Sequence, residues 1–129
     1  MSITVQWDND EKTVIRYDVS DNWTWDEFRQ AVEQIHAMID TVSHTVDAIA
    51  NLENGNFLPS GSLWQARNVA SRSHPRAGMT VIVKGSYMMQ SLYGLFRSLY
   101  GKMGFYVNIH FAPTLEAARA LLEAEREKP

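Results

Sequence analysis

A single α/β domain with a mixed, mostly parallel five-stranded sheet flanked by helices is the fold class the sequence predicts. Three observations predict it. Short β-branched runs alternate with longer segments whose apolar residues recur at spacings of 3 and 4, in the order β-β-α-β-α-β-α-β-α. The run "MTVIVKG" is continuously apolar, as a strand covered on both faces requires. No linker, repeat or low-complexity stretch interrupts the 129 residues, so residues 1–129 read as one domain with its own core.

The elements follow in order. "ITVQW" (Ile3–Trp7) alternates and is β-branched, "DNDEK" is a turn, and "TVIRYDV" (Thr13–Val19) completes an opening hairpin. "WTWDEFRQAVEQIHAMID" carries the best-signed helix. Thr24 and Glu27 fit a capping box, and Trp23 and Phe28 stand where a hydrophobic staple places them. Trp25, Phe28, Val32, Ile35 and Ile39 form its apolar face. "TVDAIANL" (Thr45–Leu52) is a short apolar strand. Ser60 or Ser62 caps a second predicted helix, which stops near "SHPR" because Pro75 cannot continue it. Met79–Gly85 is the next strand, "SYMMQSLYGLFRSLYGKMG" a third helix, and "YVNIHF" (Tyr106–Phe111) the last strand. "APTLEAARALLEAEREKP" closes the chain as an amphipathic helix capped by Thr114, its last charged residues frayed.

Composition narrows the function classes. A hydrophobic fraction of 45% with 21% charged residues is that of a soluble globular protein. No apolar run nears the ~20 residues that cross a bilayer, and "MSITVQWDNDEK" lacks the regions of a signal peptide. With no cysteine there is no disulfide, thiolate nucleophile or Cys-type zinc site, which fits a cytoplasmic protein. A net charge of −3 gives no general pull toward nucleic acid. Arg67, Arg72 and Arg76 read as a solvated helix end, because the aromatic interleaving of a single-strand binder is missing.

One stretch stands out. "NLENGNFLPSGSL" (Asn51–Leu63) follows a parallel strand at its C-terminal end, where open α/β sheets bind ligands. Asn54 and Gly55 permit positive φ in the loop, and Ser60, Gly61 and Ser62 open a helix whose amides and dipole favour an anion. "KGS" (Lys84-Gly85-Ser86) repeats the device after the next strand. Two readings stand: ordinary caps and turns, or a site for a phosphate or carboxylate. Walker and G-x-G-x-x-G patterns are absent.

In the third predicted helix, Leu95, Met88, Leu99, Leu92, Met103, Phe96, Met89, Tyr100 and Tyr93 fill an arc of about 160°, wider than the stripe of a surface helix. Ser91, Gly94, Ser98 and Gly101 form a stripe of small residues spaced 3, 4 and 3. Either Leu92, Leu95 and Leu99 pack on the sheet with the aromatics at the edges, or the helix also meets a partner chain or an apolar ligand. Trp64, Met89, Tyr93, Gly94, Phe96, Ser98 and Tyr100 are the candidate contact residues of the second reading. Trp64 is buried under the 51–62 loop in one reading and exposed for binding in the other.

The remaining polar residues offer less. No two of His36, His44, His74 and His110 stand three or four apart, and no carboxylate partner is set by spacing, so no metal site is expected; His36 and His110 read as edge or core histidines. Asp18, Asp21, Asp26 and Glu27 cluster near the first helix, where capping explains Glu27 better than acid–base chemistry. No G-x-S-x-G elbow supports a serine triad.

The element order, the stretch "NLENGNFLPSGSL" and the ending "TLEAARALL" resemble the STAS domain, the fold of bacterial anti-sigma-factor antagonists, and their SpoIIAA-like relatives in particular. Asn51-Leu52 stands where those antagonists have Asp-Leu, and Pro59-Ser60-Gly61 near their Asp-Ser-Ser-Gly. The resemblance implies a non-catalytic regulatory or binding module, without cofactor, that works through protein contacts or as a homodimer. It places Ser60, or else Ser62, at the family's phosphorylated serine, with Pro59 replacing the acidic neighbour. The rival expectation is a binder or carrier of a small apolar or anionic ligand, in a pocket beside the third helix and the 51–62 loop.

Overall fold

The structure, a computed structural model, describes residues 3–20, 23–54, 74–85, 90, 91, 93–95, 98 and 108–127. Strands β1 (Ile3–Trp7), β2 (Val14–Ser20), β3 (Val46–Asn54), β4 (Ala77–Val83) and β5 (Ile109–Ala112) form one sheet in the order β1-β2-β3-β4-β5. The β1–β2 pair is antiparallel and the other three pairs are parallel, so the mixed, mostly parallel sheet is present. Helix α1 spans Trp25–Asp40 and helix α2 spans Leu115–Arg126. Gln90, Ser91, Tyr93, Gly94, Leu95 and Ser98 are helical too, within the third predicted helix.

The hairpin closes where the composition of "DNDEK" directs it. Lys12 takes a positive φ of 57°, and the Asn9 side chain accepts from the Thr13 and Val14 amides at 3.0 and 3.3 Å. At the start of α1, Thr24 Oγ1 accepts from the Glu27 amide at 3.2 Å, and the Trp23 and Phe28 rings meet at 5.8 Å, as cap and staple. Thr114 caps α2 by accepting from the Ala117 amide at 3.0 Å. The Ser60 and Ser62 caps lie outside the described residues.

Alternation along the strands sends each residue to one of two cores. Ile15, Val19, Ile3, Val46 and Leu52 pack beneath α1 with Ala31 and Ile39. Val14, Ile49, Met79, Val81, Val83 and Ala112 pack on the other face, beneath Ala118 and Leu122 of α2. Each fully buried Ile, Val or Leu stabilises the fold by roughly 1.5–3 kcal/mol.

Strand ends differ from expectation for local reasons. β3 extends to Asn54, because an irregularity between Asp18 and Ser20 lets β2 pair onward with it. β4 starts at Ala77 rather than Met79, through a register shift opposite Val46–Ala48. It stops at Val83 because Lys84, at φ 58°, turns out of the strand. β5 begins at Ile109; Tyr106 and Val107 lie outside the described residues.

Candidate functional site

The strand register brings two of the sequence-predicted segments to one edge. Asn51 pairs with Val83, and Val83 with Ala112, so the C-terminal ends of β3, β4 and β5 stand side by side, with Lys84-Gly85 following β4. The Lys84 amide donates to Ala112 O at 3.0 Å, and Gln90 Nε2 donates to Gly85 O at 3.2 Å. A Cβ on Gly85 would stand 3.0 Å from two ring atoms of Phe111, so the glycine here is a matter of close approach. Tyr93 meets the same Phe111 edge-on at 5.9 Å. Asn51 donates from Nδ2 to Asp18 Oδ1 at 2.8 Å. Asn54 ends β3; Gly55, Ser60, Gly61, Ser62, Trp64, Ser86, Met89, Phe96 and Tyr100 lie outside the described residues.

The third predicted helix turns its small residues outward. Ser91, Gly94 and Ser98 are exposed, and a Cβ on Gly94 would meet nothing within 4 Å among the described residues. Leu95 is 49% exposed beside them, so it does not pack on the sheet as one reading of this helix expected. Leu92, Leu99 and Gly101 lie outside the described residues.

A histidine cluster sits at the opposite end of the sheet, where sequence spacing suggested none. His36 and His74 meet edge-on at 5.5 Å. His74 Nδ1 accepts from the Arg76 amide at 3.0 Å, so Nε2 carries the proton and donates to Asp40 Oδ1 at 2.8 Å. Both nitrogens are therefore engaged, which leaves His74 unsuited to act as a general base. The bond from His74 holds Asp40 below the usual carboxylate range. Burial, with His74 beside it, lowers His36 from 6.5 and keeps it neutral at pH 7, against the pull of Asp40 and Glu33. Asp40 stands four residues after His36, a helical spacing that would have signalled their proximity; His74, from a distant segment, left no local sign. Among the described residues no group of three or more His, Cys, Asp or Glu could hold a metal ion.

Two further carboxylates escaped sequence reasoning. Asp8, its side chain 4% exposed, accepts from Arg119 at 3.0 and 2.9 Å and from Arg16 at 2.9 Å. Burial works against its charge, but Arg119 and Arg16 prevail and hold it below 3.8. Buried Asp47 accepts from Arg126 Nε at 3.0 Å and from the Met79 amide at 2.9 Å. Arg126 also donates to Thr13 O at 2.9 Å and Thr45 O at 3.0 Å. An Asp inside the apolar run "TVDAIANL" was the available signal. The acidic cluster expected near the first helix divides: Asp18 bonds Arg16 at 3.2 Å on the strand, while Asp26 pairs with Arg29 on α1. Asp21 lies outside the described residues.

No protein-family model and no curated protein matches the chain. Among the described residues no helix is long and apolar enough to cross a membrane.

Proposed function

We propose that the chain is a non-catalytic regulatory or binding module of the STAS, SpoIIAA-like kind, working in the cytoplasm through protein contacts. The observation that carries this reading is the outward helical face of Ser91, Gly94, Leu95 and Ser98. An exposed glycine within a helix costs about 0.5–1 kcal/mol relative to alanine, and nothing among the described residues fills the space beside Gly94. A partner backbone that comes close uses that space, and Leu95 supplies the apolar contact next to it. The partner is a second copy of the chain or a dedicated protein.

A photo-activated cross-linker at Leu95, with Glu123 on the outer side of α2 as control, tests the reading in the native host. A single sequenced adduct at Leu95, to the chain itself or to one protein, supports it. Equal adducts at both positions, or none at Leu95, would refute it. For the homodimer, Gly94→Leu is expected to abolish the dimer on sizing at several concentrations while circular dichroism is unchanged.

A small anionic ligand is the second reading. It is favoured by the shared edge at which β3, β4 and Lys84 end. A native mass spectrum of the purified protein separates it from the first: a bound small-molecule mass lost in Lys84→Ala supports it, and the bare chain mass contradicts it.

A further inference from the structure

The side of the sheet beneath α1 holds a cleft of about 130 Å³. Phe28, Val32, Ile35 and Ile39 of α1 line one side and Val46 and Ala48 of β3 another, so the walls are largely apolar. Tyr17 of β2, His36 of α1 and Thr80 of β4 also line it, with His74 and Asp47, whose polar atoms are engaged by Arg76, Asp40, Arg126 and the Met79 amide. We propose that this cleft is a binding site for a small neutral molecule, about one aromatic ring in size, that carries a single hydroxyl or carbonyl oxygen.

Size sets the first limit. An apolar cavity of about 150 Å³ accepts benzene, so this volume admits one ring and not a lipid chain. The lining sets the second. Among the described residues the hydroxyl of Tyr17 and the ring nitrogens of His36 make no hydrogen bond; Tyr17 meets Phe28 through its ring, at 6.2 Å, and His36 meets the His74 ring at 5.5 Å. A hydrocarbon occupant would leave both polar groups unpaired in a largely apolar setting, whereas one oxygen function answers them.

Charge sets the third. Burial pushes Tyr17 up to about 12, so its hydroxyl keeps its proton and serves as a donor at neutral pH. His36 is neutral for the reasons given above, with one N–H and one lone pair to offer. His74, held by Arg76 and Asp40 on its two nitrogens, is fixed and cannot turn toward a guest. An anion entering the cleft would give up its hydration without meeting a cation there, which selects a neutral guest. The site is separate from the helical face proposed for partner contact and does not depend on it.

The probes are phenol, benzene and benzoate, titrated against the full chain by methyl and amide NMR. Phenol is expected to shift the signals of Val32, Ile35 and Ala48 in a saturable way, about tenfold more tightly than benzene. That ratio corresponds to about 1.4 kcal/mol, the scale of one hydrogen bond. Benzoate is expected to bind more weakly than phenol. Tyr17→Phe, which keeps the ring against Phe28, and His36→Phe should each bring phenol toward benzene and leave benzene unchanged. Four outcomes overturn the proposal: no saturable shift with phenol, shifts that map away from the cleft, benzene or benzoate bound as tightly as phenol, or phenol bound by both variants as by the wild type. The comparison of the three probes on the wild type needs no variant to fold.

Discussion

The two helices that cover the sheet are held by different forces. α1 docks by apolar area. Ile39 and Ala31 are buried, and Trp23, Trp25, Phe28 and Tyr17 form a cluster of rings with centroids 4.9–6.2 Å apart. Its polar ties run along the helix, Asp26 with Arg29, or to the connection before β4, where Asp40 accepts from His74. α2 buries Ala118 and Leu122 and adds two guanidinium groups that reach buried carboxylates on the hairpin turn and β3. The difference teaches what each attachment answers to. Apolar burial is almost indifferent to pH and salt, whereas a carboxylate that is ionised only in company makes α2 a reporter of acid.

The largest expected effect breaks the α1 side. Ile39→Ala removes a buried side chain and is expected to cost about 2–5 kcal/mol, by the same amount at low and high salt, as measured by urea unfolding. On the α2 side, Asp47→Ala takes the acceptor from Arg126 and strands the buried Met79 amide, at about 3 kcal/mol. Gly78→Ala reaches the same group from the opposite side, since its Cβ would run into Asp47 Oδ1, and is expected to cost about 1–3 kcal/mol. The double variant should cost less than the sum of the two, because both act on one carboxylate.

Asp8→Asn sharpens the comparison through pH. The folded-state value of Asp8 lies below its ordinary one, so its contribution is fully present above about pH 4 and is lost as pH falls through the folded value. At pH 7 the variant is expected to lose about 1.5–3 kcal/mol. Its stability should then fall less steeply than wild type below pH 4, with Ile39→Ala keeping the wild-type slope. The smallest effect is the one both helices share. Thr24→Ala and Thr114→Ala each remove one cap and should cost about 1 kcal/mol, and a twofold disparity between them would mean that α2 leans on its arginines more than on its own first turn.

What sequence reading reached was local. The Thr24 cap, the Trp23–Phe28 staple, the Thr114 cap, the hairpin and the apolar face of α1 are set by residues within a few positions of each other, and each stands as expected. What it missed is long-range or counter to type. The bulge opposite Asp47 is invisible because Gly78 reads equally well as part of a turn before the strand. Arg119 and Arg126 look like ordinary solvent-facing cations on an amphipathic helix, and their partners lie 111 and 79 residues away. His74 meets His36 and Asp40 only because the connection before β4 returns beneath the end of α1. As for the candidate site, the sequence named the edge where β3 and β4 end, but not the cleft at the α1 side, whose walls read simply as core.

The sequential order of the strands has a consequence for how the chain folds. Each strand pairs with the strand before it in sequence, so the sheet can extend one strand at a time as the chain leaves the ribosome. Among the described elements α2 returns furthest across the molecule: Arg119 to Asp8 spans 111 residues and Arg126 to Thr13 spans 113. Those ties carry the greatest loop-closure cost and belong after the rate-limiting barrier rather than before it. Arg126→Ala, followed by stopped-flow mixing, is therefore expected to shorten the lifetime of the folded state while the refolding arm of the chevron stays where it was.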